Sequence, residues 1–263
     1  MHPISSCLDT GNTVDTALRI WTYWEGPKYP LIDLCLESIR RHHPDIRILS
    51  QLDVLDRIGS EPIVLTEGQP LHYRSNLIRF LLMKKFGGRW IDADVLAFRP
   101  TRLTDGVEAD MYLYGKGHIQ RPVIGSGHFA IRKGDLADIA YDLCKNAWLS
   151  RKPDSPYGVC GNKIVVALYR KYSNRFNIVL RPSGFLNPIP DIVSTKIMQP
   201  GTDKEFNSQK DWDWNSLCIF HLDQKMRKVL HSMSAAEILQ SQTFIGHLVR
   251  RSLGLLNTDR GAE

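Results

Sequence analysis

One stretch of the sequence, residues 71–97, restricts the fold more than any other, because it predicts a helix that leads into a buried strand. From 71 to 86 the apolar residues recur at helical spacing and form one stripe. Gly87 and Gly88 follow, and glycine is the residue that most often ends a helix. From Arg89 to Ala97 the residues read as a buried strand. A helix joined this closely to a strand favours an α/β fold.

The chain on either side supports the same class. Residues 18–24 read as a strand, 31–41 as a helix and 46–49 as a second strand, which predicts a mostly parallel sheet. We expect one α/β domain over residues 1–230 and an amphipathic helix in 231–263, packed on the domain or on a membrane surface. The later elements are predicted as strands at 111–114, 128–132, 178–180 and 217–220, helices at 135–149, 162–172 and 235–256, and a glycine-rich loop at 115–127.

The composition is that of a globular protein and limits the partners. The chain has 263 residues, 43% of them hydrophobic and 24% charged, which excludes intrinsic disorder, collagen and coiled coils. A formal net charge of +6 suits phosphorylated ligands, nucleic acid or an anionic membrane. The Lys and Arg residues are dispersed and form no zinc-finger or RNP-like motif, so we expect no nucleic-acid partner.

The cysteines and the apolar runs predict where the protein works. Its five cysteines are odd in number, lie far apart and form no CxxC pair, which argues against a disulfide framework and a zinc ribbon. Residues 1–16 lack the basic and apolar parts of a signal peptide, and no apolar run approaches the roughly 20 residues of a membrane span. We expect a cytoplasmic protein. Basic residues beside the apolar stripe of the last helix leave peripheral membrane contact as an alternative.

The strongest chemical signal is Asp92-Ala93-Asp94, near the end of the predicted strand. Alternation along the strand would point both carboxylates to one side, together with Trp90. Two carboxylates this close repel each other unless a cation or a shared proton intervenes. Oxygen ligands suit Mg²⁺ or Mn²⁺, which also bind substrate phosphates. The alternative is a carboxylate pair at a strand end with no metal. An EF-hand is excluded, because its required Gly and Glu are missing.

Together with the preceding helix, this segment resembles a known family. Ser75-Asn76-x-x-Arg79 and Phe86-Gly87-Gly88-Arg89-Trp90-Ile91-Asp92-Ala93-Asp94 resemble the SDxxR…YGGxYxDxD signature of DXD-containing sugar transferases. These are the bacterial capsular polysaccharide synthesis proteins and the related eukaryotic α-mannosyl- and α-galactosyltransferases. Residues 20–26 resemble the IWxyWxG first strand of the capsular branch, and Phe220-His221-Leu222-x-x-Lys225 is similar to its HLxxK-like element.

The resemblance implies a GT-A (Rossmann-like) fold with a mostly parallel central sheet flanked by helices. It also implies a nucleotide-sugar donor, a divalent metal (Mn²⁺ or Mg²⁺) and retention of anomeric configuration. We expect a UDP-hexose rather than a GDP-hexose, and a cell-envelope polysaccharide or lipid-linked glycan as acceptor. The sequence departs from the family at Asn76, where the family has an Asp that hydrogen-bonds the donor sugar. Asn both donates and accepts, so the identity of the sugar stays open.

Site roles follow from the resemblance and from the chemistry of each side chain. A metal would be held by Asp94, by Asp92 directly or through water, and by His221 as a nitrogen ligand. Lys225 would reach the diphosphate as a point charge. The predicted catalytic residues are Asp92, Asp94 and Arg79. The predicted donor-binding residues are Trp21, Tyr23, Ser75, Asn76, Arg79, Asp92, Ser126, His128 and Lys225.

Other interpretations remain open at this point. Trp21 and Tyr23 are equally good core residues, Ser126 and His128 lie in what reads as a tight turn, and Gly158–Asn162 is a further loop with a possible site role. A phosphatase of the haloacid-dehalogenase type also uses a strand-end Asp-x-Asp, but it expects Thr or Val where this chain has Leu96. A non-catalytic binding or scaffold subunit with a transferase fold is supported only by Asn76.

Overall fold

The computed structural model describes residues 18–27, 29–101, 107–116, 123–152, 155, 158–182, 218–222 and 224–256. The strands are β1 (Ile20–Tyr23), β2 (Arg47–Leu49), β3 (Gly88–Ile91), β4 (Val95–Ala97), β5 (Met111–Lys116), β6 (Val123–Ile131), β7 (Ile178–Pro182) and β8 (Ile219–His221). The helices are α1 (Pro30–His42), α2 (Gln51–Ile58), α3 (Glu61–Leu65), α4 (Leu71–Phe86), α5 (Asp135–Leu149), α6 (Asn162–Tyr172), α7 (Gln224–Leu230), α8 (Ala235–Gln240) and α9 (Phe244–Ser252).

Among the described residues, six strands form the central sheet, in the order β2-β1-β3-β6-β5-β7. The pairs β1–β2, β1–β3 and β5–β7 are parallel, whereas β6 runs antiparallel to both of its neighbours. The strands β4 and β8 form a separate antiparallel pair. The expected α/β class with a mostly parallel central sheet is therefore confirmed.

Helix α4 is buried on more than its apolar stripe. Leu77, Ile78 and Leu82 are completely buried in the main core, and burying an aliphatic side chain of this size contributes about 1.5–3 kcal/mol. The polar residues Asn76 and Arg79 are also buried, with 8% and 4% of their surface exposed. Buried polar groups need hydrogen-bond partners, so this face of the helix is directed at other polar groups rather than at water.

The glycine pair after α4 lets the chain pass close to its neighbours. Gly87 and Gly88 have φ values of 65° and 121°, which side-chain-bearing residues rarely adopt. A Cβ on Gly87 would lie 2.6 Å from the backbone nitrogen of Lys133. The carbonyl oxygen of Gly87 also accepts a hydrogen bond of 3.0 Å from the indole of Trp21. The predicted helix end at these glycines is confirmed.

The predicted strand from Arg89 to Ala97 is wrong in one respect, since it is interrupted at residues 92–94. The strand β3 ends at Ile91, residues 92–94 turn, and β4 leaves the central sheet to pair with β8. The two aspartates occupy this turn. In the turn, each carboxylate meets an arginine.

Two further predictions are corrected by the structure. Within the described residues, the predicted loop over 115–127 contains strand: β5 continues to Lys116 and β6 begins at Val123, so Ser126 lies in a strand and not in a tight turn. The predicted helix over 235–256 is two helices, α8 and α9. The break is set by Thr243, whose side chain caps α9 by accepting a hydrogen bond from the backbone nitrogen of Gly246.

The apolar side of α9 packs on the protein. Its buried residues join an apolar cluster with residues of α1, β4 and α7, which we call the C-terminal cluster. The cluster comprises Leu31, Cys35, Leu96, Phe220, Leu222, Met226, Leu230, Ile238, Phe244, Ile245, Leu248, Val249 and Leu253. Among the described helices, none combines the length and the apolar character that crossing a membrane requires.

Stability should fall in mild acid because of His43, at the end of α1. This side chain is 4% exposed, and burial together with the nearby Arg89 charge lowers its pKa from 6.5 to about 3. Because the unfolded state then binds a proton more readily, the contribution of His43 is fully present above pH 6.5 and is lost as the pH falls towards 3. We expect a loss of about 1.4 kcal/mol in the free energy of unfolding per pH unit in this range.

Urea unfolding at pH 7, 6 and 5 measures this loss. The variant His43→Gln keeps a polar side chain that does not titrate, so its stability should depend less on pH over the same interval. Equal pH dependence in the two proteins would contradict the assignment to His43.

Candidate functional site

The candidate site lies where β1 and β3 end. These strands are parallel neighbours, so their carboxyl ends meet at one edge of the sheet, where α/β proteins bind ligands. Tyr23 is the last residue of β1, and Asp92 directly follows β3. The antiparallel strand β6 brings Ser126 and His128 to the same edge, because His128 pairs with Ile91.

Arg79 joins α4 to this edge of the sheet. Its guanidinium donates one hydrogen bond to the backbone oxygen of Ser126 and another, of 2.5 Å, to Oδ1 of Asp92. The same Asp92 oxygen accepts a 2.6 Å hydrogen bond from the indole of Trp90. The guanidinium carbon lies 4.9 Å from the centre of the Trp90 ring. The carboxylate of Asp92 is thus held in one orientation by two donors. We call Arg79, Trp90, Asp92 and Ser126 the Arg79 cluster.

Asn76 lies beside this cluster, against the start of α6. A Cβ on Gly161 would be 2.9 Å from Oδ1 of Asn76 and 3.0 Å from Oγ of Ser126, so a larger residue there would displace the ends of these two side chains. The Oδ1 atom of Asn162 accepts hydrogen bonds of 2.9 Å from both the backbone nitrogen and the hydroxyl of Ser126. The loop proposed at Gly158–Asn162 therefore contacts predicted site residues, through Gly161 and Asn162.

Asp94 has a different partner. Its Oδ2 lies 2.6 Å from Nη1 of Arg227 on α7, and only 7% of the residue is exposed. Sequence reasoning missed Arg227 and named Lys225 in the same basic segment. The sequence feature that could have indicated Arg227 was this run of basic residues just after His221.

His221 comes close to Asp94 through the backbone. In the β4–β8 ladder His221 pairs with Val95, and the backbone nitrogen of Leu222 donates a 3.1 Å hydrogen bond to the backbone oxygen of Asp94. The side chains of His221 and Lys225 lie outside the described residues. The donor set of two carboxylates and a histidine nitrogen would suit Mn²⁺, and the ladder places the backbone of His221 beside that of Asp94. Among the described side chains no group of three potential ligands is assembled.

The two aromatic residues of β1, Trp21 and Tyr23, are buried and have no ring face open to solvent. Trp21 is 1% exposed and packs against Phe86, with ring centres 5.6 Å apart, so the structure favours the core interpretation for its side chain. The hydroxyl of Tyr23 donates to Glu25, which also pairs with Arg74 at 2.7 Å. Burial and the Glu25 carboxylate raise the pKa of Tyr23 far above its ordinary value. Sequence reasoning missed this Glu25–Arg74 pair.

Two further predicted residues, His128 and Ser75, are described by the structure. His128 is 6% exposed and stacks on Tyr114, with ring centres 5.1 Å apart. Ser75 is half-buried on α4, next to Asn76. The structure thus brings Asn76, Arg79, Asp92 and Ser126 into one group, with Asp94 and Arg227 as a second pair.

No model of a known protein family matches the sequence, and no curated protein matches it. The chain does resemble solved glycosyltransferase structures. The alignment with the PaToxG glycosyltransferase covers 90% of this chain and 86% of that chain, at 15% identity and a TM-score of 0.42. For the glycosyltransferase GlyE of Streptococcus pneumoniae TIGR4, 90% of this chain covers 64% of that chain, at 14% identity and a TM-score of 0.45.

A further resemblance is to the galactosyltransferase LgtC, solved with donor and acceptor sugar analogs. Here 92% of this chain covers 98% of that chain, at 12% identity and a TM-score of 0.43. TM-scores below 0.5 mark a loose correspondence of backbones, and none of these structures assigns an activity to this chain.

Proposed function

We propose that the protein is a metal-dependent, retaining glycosyltransferase of the GT-A type. It transfers a hexose from a nucleotide sugar, UDP-linked rather than GDP-linked, to a cell-envelope polysaccharide or lipid-linked glycan. The observation that carries this proposal is the Arg79 cluster. Residues of the sugar-transferase signature that lie on a helix and after a strand meet there in a buried, hydrogen-bonded group, with Asp94 two residues away.

The donor's phosphates and its sugar would meet different residues. A Mn²⁺ or Mg²⁺ ion held by Asp94 and His221, and by Asp92 through a water because Arg79 stays on that carboxylate, would supply Lewis-acid neutralisation of the diphosphate leaving group. Lys225 adds a positive charge on α7 for the same phosphates. Asn76, Ser75 and the Ser126–His128 segment face the donor sugar.

Arg79 acts through Asp92. By holding Oδ1 it fixes the direction of the carboxylate, so the cost of ordering that side chain is met before the donor binds. Departure of the leaving group and attack of the acceptor on one face of the sugar is the route in this proposal. That route is the one implied by the family resemblance.

The location of the protein is also part of the proposal. We place it in the cytoplasm, with residues 1–230 as the catalytic domain and the segment 231–263 packed on it. The basic residues of α9 would allow this helix to bind the cytoplasmic face of a membrane that carries lipid-linked acceptors.

Thermal unfolding with ligands tests the proposal. A ligand that binds only the folded state stabilises it by RT ln(1 + [L]/Kd), or about 2.7 kcal/mol at a hundredfold excess over Kd. A UDP-sugar with Mn²⁺ should therefore raise Tm by more than the sum of the two separate shifts, and EDTA should remove the difference. The exposed variant Asp142→Asn, on α5, serves as the control and should behave like the natural protein. A shift that is the same with EDTA would contradict a metal-bridged donor.

A further inference from the structure

The proposed metal ligand Asp94 is already paired with a cation from its own chain. The Nη1 atom of Arg227 lies 2.6 Å from Oδ2 of Asp94, and the Asp94 side chain is 10% exposed. A carboxylate this far from water is costly unless a positive charge or several hydrogen bonds accompany it. Arg227 supplies that charge.

Arg227 is placed by a firmly anchored helix. Its neighbours on α7, Met226 and Leu230, are 3% and 1% exposed and belong to the C-terminal cluster. The helix therefore holds the base of Arg227 in place. The end of its side chain is less confined, since 26% of the side chain is exposed.

The two arginines of the site differ in this respect. Arg79 is 5% exposed as a side chain and also donates to the backbone of Ser126, so it has two anchors. Arg227 has room to turn towards solvent. An incoming cation would therefore exchange with Arg227 at Asp94 more readily than with Arg79 at Asp92.

We infer that Arg227 is the resident counter-ion of Asp94, and that a divalent cation binds Asp94 only in exchange for it. A guanidinium and a metal ion on the same carboxylate repel each other, and the repulsion is strong where water is largely excluded. The two equilibria are linked, so the strength of the ion pair lowers the affinity for the metal by the same factor. This inference rests on the proposed role of Asp94 as a metal ligand.

Equilibrium titration with Mn²⁺ alone, without nucleotide, tests the exchange. The variant Arg227→Met removes the charge and keeps an unbranched side chain. We expect it to bind Mn²⁺ at least about tenfold more tightly than the natural protein, which corresponds to ~1.4 kcal/mol. The variant Lys228→Met removes the same charge from the exposed neighbouring position and should leave the affinity unchanged.

A merely structural role for Arg227 would give a different result. If Arg227→Met binds Mn²⁺ no more tightly than the natural protein while Asp94→Asn loses binding, the exchange is wrong and the metal site stands. If Asp94→Asn binds Mn²⁺ as the natural protein does, the proposed metal role of Asp94 fails as well.

Two measurements keep the test decisive if the methionine variant is unstable. Arg227→Lys keeps the charge but has a single ammonium group, so it should show a smaller gain in Mn²⁺ affinity in the same direction. In thermal unfolding, Mn²⁺ should raise Tm more in Arg227→Met than in the natural protein, because the metal replaces the missing counter-ion. An equal rise in the two proteins would overturn the exchange.

Discussion

Asp94→Asn should abolish the Mn²⁺-stimulated hydrolysis of a UDP-sugar, with kcat/KM lower by about a thousandfold or more. The amide matches the carboxylate in size and still accepts a hydrogen bond from Arg227, so the fold should be retained. What the variant lacks is the negative charge that holds the cation. A Lewis acid lowers the barrier by several kcal/mol, and each 1.36 kcal/mol corresponds to a factor of ten in rate.

The measurement is the rate of UDP release with Mn²⁺ and with EDTA. Asp142→Asn on α5 makes the same chemical change at an exposed position and should keep the full rate. Circular dichroism shows whether both variants fold. An Asp94→Asn protein that is folded and still stimulated by Mn²⁺ would remove the metal from the proposed mechanism.

Arg79→Lys should lower kcat/KM by about a hundredfold. The guanidinium bonds to Ser126 and Asp92 at the same time, and its plane lies over Trp90. A lysine ammonium is a single point charge on a flexible stem and does not reproduce two divergent hydrogen bonds. Asp92 would keep a positive neighbour but lose its fixed orientation. We therefore expect kcat to fall strongly while Tm changes little.

Arg175→Lys is the matched control. The Arg175 side chain is 63% exposed, and its ion pair with Asp135 is long, at 3.8 Å. Steady-state kinetics and thermal unfolding of both variants separate positioning from stability. Natural kinetics in Arg79→Lys would show that the charge alone suffices and that the two-point contact has no role.

The helix–glycine–strand unit could be predicted because its signals are local. The apolar residues of α4, the glycines at positive φ and a strand-forming run after them all lie within a few turns of chain. The break at residues 92–94 could not be predicted in the same way, since the alternation of Ile91, Ala93 and Val95 continues the strand pattern through it. It depends on β8, a strand far along the chain, and on arginines from two different helices.

The contacts of the candidate site also differ in whether local sequence predicts them. The Arg79–Asp92 contact follows from a helix face and a strand end that are neighbours in sequence. The Asp94–Arg227 pair requires the β4–β8 register, which no local pattern specifies. The break between α8 and α9 could have been predicted from Thr243, because Thr is a preferred N-cap residue.

The pairing of β4 with β8 also sets the order in which the centre is completed during translation. A growing polypeptide that has reached α6 already contains every member of the Arg79 cluster. It contains neither the strand that lies beside Asp94 nor the arginine that neutralises it. The site is therefore complete only after residue 230 has left the ribosome, and chains that end before Arg227 lack part of it.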